Sequence, residues 1–265
     1  MSQSGAEGTP LAGRRAVVTG GSSGIGLAIA VALAEAGSEV HVLARRTAPV
    51  IEADAELTGT GSLTAHSVDV SDSDAVGAWA SGFTGPVDVL VCAAGVNVPA
   101  RRFGELTPDA WRRIIDTNLN GAFYVTSALI GRLREAEGDV LYISSVAGAW
   151  PDHSGAAYGA SKSGLIGLAR GAGRDEHGSG VRVCTILPGL VNTPLLDNRP
   201  APPPQNMRDL FIQPEDVAAA CLAVLLMPKR TSIAEMTIVA SRLQSMGNTQ
   251  DATPRVPPMP AGPVH

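Results

Sequence analysis

One stretch decides the fold of this chain: Ala16-Val17-Val18-Thr19-Gly20-Gly21-Ser22-Ser23-Gly24-Ile25-Gly26. A short β-branched run comes first, then the glycines, and then a segment rich in Ala, Leu and Ile that continues to Ala36. This order predicts a strand, a tight turn and a helix. Because backbone N–H groups at a helix N-terminus attract anions, the turn is predicted to bind a pyrophosphate. In the G-x-x-x-G-x-G spacing, Gly20 and Gly24 would allow its close approach, and Gly26 would let the helix pack against the sheet.

The same alternation of short β-branched runs and longer helical runs continues along the chain. Further strands are predicted at residues 39–44, 62–68, 87–93, 140–144, 181–187 and 236–239. Helix starts are predicted at Ser71, Thr107 and Gln213, where an acceptor side chain or a following proline suits a first turn. Near-continuous apolar strands separated by helices are typical of a parallel sheet covered on both faces. The sequence therefore predicts an α/β fold, a single doubly wound Rossmann-like domain with a mostly parallel central sheet.

The two ends of the chain differ in composition from its middle. Residues 1–10 and 244–265 are rich in Pro and small polar residues, which predicts a flexible N-terminal tail and a Pro-rich C-terminal tail. Residues 11–243 are then the dinucleotide-binding catalytic domain. Within it, the Pro-rich stretch 201–204 interrupts the alternation and predicts a substrate loop over about residues 190–213. A bare linker is an equal alternative for that stretch.

The composition excludes several classes of protein. The chain has 265 residues and a net charge of −5, from 20 Lys plus Arg and 25 Asp plus Glu. An acidic chain with scattered Arg argues against a nucleic-acid partner, and no apolar run is long enough to cross a membrane. Three cysteines inside apolar runs predict buried thiols and a cytoplasmic location. Histidines without paired ligand spacing predict that there is no catalytic metal.

The end of the second predicted strand bears on the choice of dinucleotide. A fold of this kind that binds NAD carries an acidic residue there for the ribose 2′-hydroxyl. Here Ala44 occupies that place, and Arg45 and Arg46 follow it. Two guanidinium groups suit a 2′-phosphate, so the sequence favours NADP over NAD. The alternative is a solvated Arg pair at a strand end.

Tyr158 and Lys162 lie four residues apart in a predicted helix over residues 156–172, so their side chains share one face. A phenol has a pKa of about 10, and a nearby ammonium group is expected to lower that pKa. Tyr158 is therefore predicted to exchange a proton with an alcohol or ketone oxygen. Ser145, at the end of the fifth strand, would donate a hydrogen bond to the same oxygen. The alternative for Ser145 is a polar residue that caps the next turn.

Taken together, these features resemble the classical short-chain dehydrogenase/reductase family over about residues 13–239. The matching motifs are T-G-x-x-x-G-I-G at residues 19–26, Asp69-Val70, Ala93-Ala94-Gly95, Asn118, Ser145, Tyr158-x-x-x-Lys162, Pro188-Gly189 and Thr193. The resemblance implies a proton-relay tetrad of catalytic residues. Its members would be Asn118, Ser145, Tyr158 and Lys162, and Lys162 would also hold the nicotinamide ribose.

For the cofactor, the resemblance implies a site built from the glycine-rich turn and the strand ends. The residues implied are Gly20, Ser22, Ser23, Gly24, Ile25, Gly26, Arg45, Arg46, Asp69, Val70, Ala93, Ala94, Gly95, Tyr158, Lys162, Pro188, Gly189, Val191 and Thr193. Among them, Asp69 and Val70 would border the adenine. Val191 and Thr193 would hold the carboxamide.

The family's layout points to residues 96–102, 147–153 and 195–211 for the substrate, with Trp150, His153 and Phe211 as candidates. With Arg101 and Arg102 nearby, the site would take a hydrophobic ketone or, through an Arg, a carboxylate. The implied activity is NAD(P)-dependent interconversion of a ketone or aldehyde and an alcohol by hydride transfer. The alternative is a non-catalytic NADP-sensing regulator on the same fold. The resemblance also implies a homodimer or homotetramer.

Overall fold

A parallel sheet of seven strands organises the chain in the computed structural model, which describes residues 9–244 and 246–247. The strands are β1 Arg15–Thr19, β2 Glu39–Ala44, β3 Ser62–Ser67, β4 Val89–Cys92, β5 Asp139–Ile143, β6 Arg182–Pro188 and β7 Glu235–Ile238. Their spatial order is β3-β2-β1-β4-β5-β6-β7, and every pairing is parallel. The predicted doubly wound α/β fold is confirmed, with a sheet that is parallel throughout.

Helices cover both faces of this sheet. They are α1 Gly24–Glu35, α2 Ala48–Ala55, α3 Ser73–Gly82, α4 Pro108–Ile115, α5 Gly121–Ala136, α6 Ala156–Glu176, α7 Gln205–Arg208 and α8 Pro214–Leu225. One buried cluster joins α1 and α8 to the sheet, and a second joins α3, α5 and α6 to its other face. Along β1, Ala16 and Val18 enter the first cluster and Val17 enters the second. Burial on both faces explains why this strand is apolar at successive positions.

The helix starts agree with the sequence except at α3. Asp72 caps that helix, because its side chain accepts hydrogen bonds from two backbone N–H groups of the first turn. Ser71 lies one residue before this cap, and its N–H and its hydroxyl donate to Asp69 Oδ1, at 3.0 and 2.7 Å. The starts predicted at Thr107 and Gln213 are confirmed as the caps of α4 and α8.

The direction of strand addition reverses between β1 and β4, which opens a crevice at their carboxyl ends. Thr19 ends β1, and its Oγ1 accepts hydrogen bonds from the N–H groups of Ala93, at 3.1 Å, and Ala94, at 3.2 Å. Gly20 follows with a φ of +71°, and a Cβ there would lie 2.6 Å from Ala94 Cα. These contacts hold the two strand ends together and require glycine at position 20.

The predicted substrate loop over residues 190–213 has a small core of its own. Its buried members are Leu190, Leu196, Met207 and Phe211. A bridge joins Val191 to Ile212, so the two ends of the loop lie side by side. This packing favours a folded substrate loop over a bare linker for this segment.

The C-terminal boundary of the domain extends to Gln244, which composition alone places in the tail. Gln244 is 9% exposed, and its Oε1 accepts a hydrogen bond of 3.0 Å from the N–H of Leu190. The end of the described chain is therefore tied to the start of the substrate loop. The rest of the predicted tails, residues 1–8, 245 and 248–265, lies outside the described residues.

Two histidines meet on the outer strands of the sheet. His41 Nδ1 lies 3.0 Å from His66 Nε2, and His41 Nε2 lies 3.1 Å from Glu39 Oε1. Their rings pack against Phe83 and Trp79. Burial lowers the pKa of His41, although the Glu39 charge opposes this, and burial also lowers the pKa of His66. Both imidazoles are thus harder to protonate in the folded chain than in the unfolded chain.

Acid is therefore expected to destabilise the protein through this pair. As the pH falls below about 6.5, the unfolded chain binds protons first, so the free energy of unfolding decreases. Replacing His66 by Phe keeps a ring against Trp79 and removes one titrating group. We expect the variant to lose less of its thermal midpoint than the wild type between pH 7 and pH 5.5. His177→Asn, at an exposed position, is the control, and an unchanged pH slope in His66→Phe would contradict the prediction.

Candidate active site

A cavity of about 490 Å³ lies over the glycine-rich turn, at the carboxyl ends of the central strands. It brings together most of the residues predicted to bind the cofactor. They are Gly20, Ser22, Ser23, Gly24, Ile25, Gly26, Arg45, Arg46, Asp69, Val70, Ala93, Ala94, Gly95, Tyr158, Lys162 and Thr193. Residues from distant parts of the sequence thus line one site, as expected at the point where the strand order reverses.

The N-terminus of α1 fits the diphosphate of a dinucleotide. Ser23 precedes the helix in an extended conformation, and in the described structure its side chain caps no N–H group. The first turn also contains no acidic residue. Gly24 has a φ of +54°, which favours glycine, and a Cβ there would lie in tight contact with Thr193 Cγ2, at 3.1 Å. The N–H groups of the first turn are therefore available to an anion.

Gly26 lies where the helix start meets the end of β1. A Cβ at this position would lie 2.5 Å from the carbonyl oxygen of Gly20, the residue that follows β1. The absence of a side chain at Gly26 thus permits the close approach of α1 to the strand end, in line with the predicted role.

Arg45 and Arg46 line the cavity where β2 ends, and both are exposed. Asp69 lines it beyond β3. Burial raises the pKa of Asp69, but the hydrogen bonds from Ser71 and the charge of Arg45 outweigh burial and hold that pKa below its ordinary value. Ala44, the last residue of β2, also lines the cavity and has no polar side chain. The second strand therefore ends in two guanidinium groups and no carboxylate, as the sequence predicted.

Lys162 is buried on α6 beside Tyr158. Its Nζ donates a hydrogen bond of 2.8 Å to the carbonyl oxygen of Ile143 and lies 5.6 Å from the centre of the Tyr158 ring. Ser144 Oγ donates to the carbonyl oxygen of Lys162, at 2.8 Å, and so fastens this turn of α6 to the end of β5. Burial lowers the pKa of Lys162 to about 8. The two predicted catalytic side chains therefore share the same face and the same cavity.

The expectation that Lys162 lowers the pKa of Tyr158 is wrong for this chain. Burial raises the pKa of Tyr158 to about 12, and the negative charge of Asp152 adds to this increase. Hydrogen bonding with Ser145 and the charges of two nearby arginines lower the pKa but do not compensate. Removal from water outweighs the local cations. Tyr158 therefore keeps its proton at neutral pH, which suits a proton donor.

Asn118 lies in a single π-helical turn, Asp116–Asn120, between α4 and α5. Its Oδ1 accepts a hydrogen bond of 2.7 Å from the N–H of Val96. Its Nδ2 donates to the carbonyl oxygen of Val96 and to Ser161 Oγ, both at 3.1 Å. The side chain thus connects the loop after β4 to α6. These three bonds engage both ends of the Asn118 amide, and its part in the predicted tetrad stays a prediction.

A second, smaller cavity of about 90 Å³ adjoins the first. Both cavities are lined by Tyr158 and Thr193, so they meet at the phenol. Ser145 lines the second cavity, and its Oγ also accepts a hydrogen bond of 3.1 Å from the N–H of Ala147. Ser145 thus caps a turn, as the alternative proposed, and also lies beside Tyr158. The other predicted cofactor residues, Pro188, Gly189 and Val191, line this second cavity.

The three candidate substrate residues line neither of these cavities in the described structure. Phe211 is 4% exposed and packs in the core of the substrate loop. His153 is exposed, and Trp150 is half-buried with a buried Nε1 that has no partner among the described residues. Their contact with a substrate stays a prediction that this geometry does not favour.

The second cavity contains two charged residues, Asp152 and Arg199, that lie within the predicted substrate segments but are not singled out by the sequence. The Asp-x-Ser pattern just before α6 indicates a side-chain turn, and Asp152 indeed accepts the N–H and the hydroxyl of Ser154, each at 2.8 Å. That pattern alone does not reveal a cavity. Arg199 lies in the irregular loop, where only the folded structure shows which way it faces.

Comparison with known proteins agrees with this geometry. The family model for short chain dehydrogenases matches residues 14–203. The NAD(+)-dependent 2-dehydro-3-deoxy-L-rhamnonate dehydrogenase of Sphingomonas sp. is 34% identical over 71% of this chain and 76% of that protein. The 3-oxoacyl-[acyl-carrier-protein] reductase MabA of Mycobacterium tuberculosis is 36% identical over 72% of this chain and 75% of that protein.

A solved structure of a dehydrogenase is also similar to this chain. The alcohol dehydrogenase of the archaeon Thermococcus sibiricus, complexed with 5-hydroxy-NADP, matches with a TM-score of 0.79 and 27% identity. That match covers 88% of this chain and 98% of the archaeal one. The site and these similarities define a nicotinamide-dependent oxidoreductase. The chain belongs to the short-chain dehydrogenase/reductase family, whose members act on CH–OH groups with NAD(P) by hydride transfer.

Three further observations concern the described residues. No group of three or more His, Cys, Asp or Glu side chains in residues 9–244 and 246–247 could hold a metal ion. None of the helices in that part of the chain combines the length and the apolar composition that crossing a membrane requires. All three cysteines are buried and free.

Proposed function

We propose that this enzyme reduces a small carbonyl compound to an alcohol, with NADPH as its preferred cofactor and Tyr158 as the proton donor. The observation that carries the proposal is that Tyr158 lines both the dinucleotide cavity and the smaller cavity. A substrate in the smaller cavity would therefore present its oxygen to the phenol. The pKa of about 12 for Tyr158 favours reduction, because the phenol then holds the proton to be given away.

In this proposal each residue has a separate role. When bound, NADPH would supply the hydride that reduces the carbonyl carbon and would be the reaction's two-electron reductant. Tyr158 donates its proton to the carbonyl oxygen, and Ser145 holds that oxygen by a hydrogen bond. Lys162 provides the positive charge near the phenol and holds the nicotinamide ribose. Asn118 positions the loop and helix around them, so any part in proton relay would fall to its main chain.

The preference for NADPH is supported by Arg45 and Arg46 at the end of β2. Exposed guanidinium groups can bind a 2′-phosphate in a bidentate way, whereas an enzyme that prefers NAD would place a carboxylate here. The relative from Sphingomonas uses NAD(+), and the archaeal structure holds an NADP derivative, so family membership alone does not decide between the cofactors.

The test of this function is a screen for carbonyl reduction. The purified full chain is mixed with NADPH or NADH and a panel of short ketones, aldehydes and oxo acids, and loss of the reduced cofactor is followed. We expect turnover of at least one compound, with higher kcat/KM for NADPH. Tight NADPH binding without any turnover across the panel would favour the non-catalytic sensor.

Asp152 offers a test of the proton donor through pH. The charge of Asp152 raises the pKa of Tyr158, so Asp152→Asn is expected to move the alkaline limb of the kcat/KM profile for reduction to lower pH. The remaining charges, on Arg199, Arg101 and Lys162, are unchanged in this variant. The amide group that replaces the carboxylate in this variant keeps one oxygen, which can still accept a hydrogen bond within the turn before α6. An alkaline limb that stays in place or moves to higher pH would contradict this assignment.

The proposed enzyme would work as a homodimer or homotetramer in the cytoplasm. Exposed Trp111 and Phe123 lie on α4 and α5, and the outer face of α6 is open at Gly167 and Gly171. These features are suited to close helix contacts between copies. A monomeric mass in light scattering would contradict the assembly.

A further inference from the structure

The smaller cavity contains more charge than a site for a neutral ketone requires. Its lining includes the guanidinium groups of Arg101 and Arg199 and the carboxylate of Asp152, together with Tyr158 and Ser145. Two positive charges and one negative charge leave one positive charge in excess. All three charges influence the pKa of Tyr158, so they lie close to the group that would face the reacting oxygen.

Arg101 is fixed in place before any ligand arrives. It is only 7% exposed, its Nε donates to the carbonyl oxygen of Val98 at 3.0 Å, and its Nη2 donates to the carbonyl oxygen of Asn198 at 2.7 Å. These two bonds use two of the five N–H donors of a guanidinium group. Burying a guanidinium group is costly unless a partner offsets the cost.

Arg199 reaches the same cavity from a different segment of the chain. It follows directly after Asn198 in the substrate loop, whereas Arg101 lies in the segment after β4. The bond from Arg101 to the carbonyl oxygen of Asn198 therefore joins these two segments at the cavity. Burial lowers the pKa of both arginines, yet each stays protonated at neutral pH because its ordinary value is so high.

Asp152 neutralises only part of this charge. Its two oxygens accept the N–H and the hydroxyl of Ser154, each at 2.8 Å, which holds the carboxylate at the start of α6. The Asp152 charge also acts on both arginines and raises their pKa, but one carboxylate can balance only one of the two guanidinium charges. A ligand with a single negative charge would balance the excess positive charge that remains.

The volume of the cavity limits the length of the ligand. Its volume of about 90 Å³ is small beside the 490 Å³ of the dinucleotide cavity, which favours a short ligand. A long acyl chain would have to extend out of the cavity.

We propose that Arg101 and Arg199 bind the carboxylate of a short oxo acid, and of the hydroxy acid that it becomes, in the cavity beside Tyr158. This inference rests on the proposed function and names its substrate class. The carboxylate fixes one end of the substrate, and the carbonyl oxygen then lies against Tyr158 and Ser145. Planar guanidinium groups suit a carboxylate because they bind it with two parallel hydrogen bonds.

The test compares an acid with its own neutral ester. Acetoacetate and methyl acetoacetate carry the same ketone, so the ratio of their kcat/KM values reports recognition of the negative charge. For the wild type we expect this acid-to-ester ratio to be about 10 or more. Arg199→Gln is expected to lower the ratio about tenfold to hundredfold, mainly through the KM of the acid. Asp152→Asn is expected to raise the ratio, which a folding defect would not do.

Arg102→Gln is the matched control. Arg102 is exposed and does not line either cavity of the described structure. The acid-to-ester ratio of this variant should therefore equal that of the wild type. Arg101→Gln is a second variant whose folding is checked by thermal midpoint, because this side chain also holds backbone carbonyls.

The outcomes separate this inference from the proposed function. A wild type that reduces the ester as well as or better than the acid overturns the carboxylate site while the reductase activity stands. Equal ratios for Arg199→Gln and Arg102→Gln would overturn the carboxylate site in the same way. If neither compound nor any ketone of the panel is turned over, the result contradicts the proposed function, and the carboxylate site needs a test that does not depend on turnover. Butyrate then tests the site alone: protection of the wild type but not of Arg199→Gln against heating would support it, and equal protection would overturn it.

Discussion

Replacing Tyr158 by Phe is expected to lower kcat/KM for carbonyl reduction by about a thousandfold, the middle of the range for loss of a general acid. The change removes one oxygen and leaves the ring, so the packing on α6 and the position of Lys162, 5.6 Å from the ring centre, should persist. NADPH binding should therefore be retained, because the glycine turn and the end of β2 are unchanged. In the variant the proton would have to come from water instead of the phenol.

The measurement pairs steady-state reduction with a fluorescence titration of NADPH. Tyr124→Phe removes a phenol oxygen at a half-buried position on α5 and is the matched control. It should behave as the wild type in both assays. If Tyr158→Phe retained a tenth or more of the wild-type kcat/KM, the phenol would not be the proton donor.

The double variant Arg45→Ala, Arg46→Ala is expected to lower kcat/KM for NADPH about a hundredfold and to leave kcat/KM for NADH within about threefold. Each charge-assisted hydrogen bond to a phosphate is worth about 1.5 to 3 kcal/mol, and tenfold corresponds to about 1.4 kcal/mol. Exposure to solvent weakens these hydrogen bonds. We therefore expect the loss of both to lower kcat/KM for NADPH by only about a hundredfold. NADH lacks the 2′-phosphate and is therefore an internal control.

Initial rates with each cofactor at a fixed substrate concentration provide the measurement. The NADPH preference should also weaken with added salt in the wild type, because exposed charges are screened. Equal losses with NADPH and NADH would indicate general damage to the site. An unchanged preference would mean that the two arginines are a solvated pair at a strand end.

The fold can be predicted because its signals are local. A strand buried on both faces requires successive apolar residues, as Val17 and Val18 show, and the positive φ of the turn at Gly20 favours glycine there. The Tyr158 and Lys162 pair is also predictable, since spacing by four places two side chains on one face of any helix. These properties depend on neighbours in sequence and survive without coordinates.

The electrostatics of the site cannot be predicted in the same way. The pKa of Tyr158 depends on how much water surrounds it and on Asp152, neither of which is visible from helix spacing. Arg199 reaches the cavity only because the substrate loop folds on its own core around Phe211. A large apolar residue in such a loop can contact a substrate or fill a core, and the sequence around Phe211 does not distinguish the two.

The π-helical turn at Asp116–Asn120 has an evolutionary consequence. In it the N–H of Gly121 bonds to the carbonyl of Asp116, five residues back, so this turn holds one residue more than an α-helical turn. Deleting that residue would rotate everything on one side of it by about 100° relative to the other. Either α4 would leave its neighbours, or Leu129 and Leu133 would swing away from the sheet. Substitutions within the turn should therefore be tolerated far better than a deletion that shortens it. We expect descendants of this protein to keep the length of the turn even where its residues change.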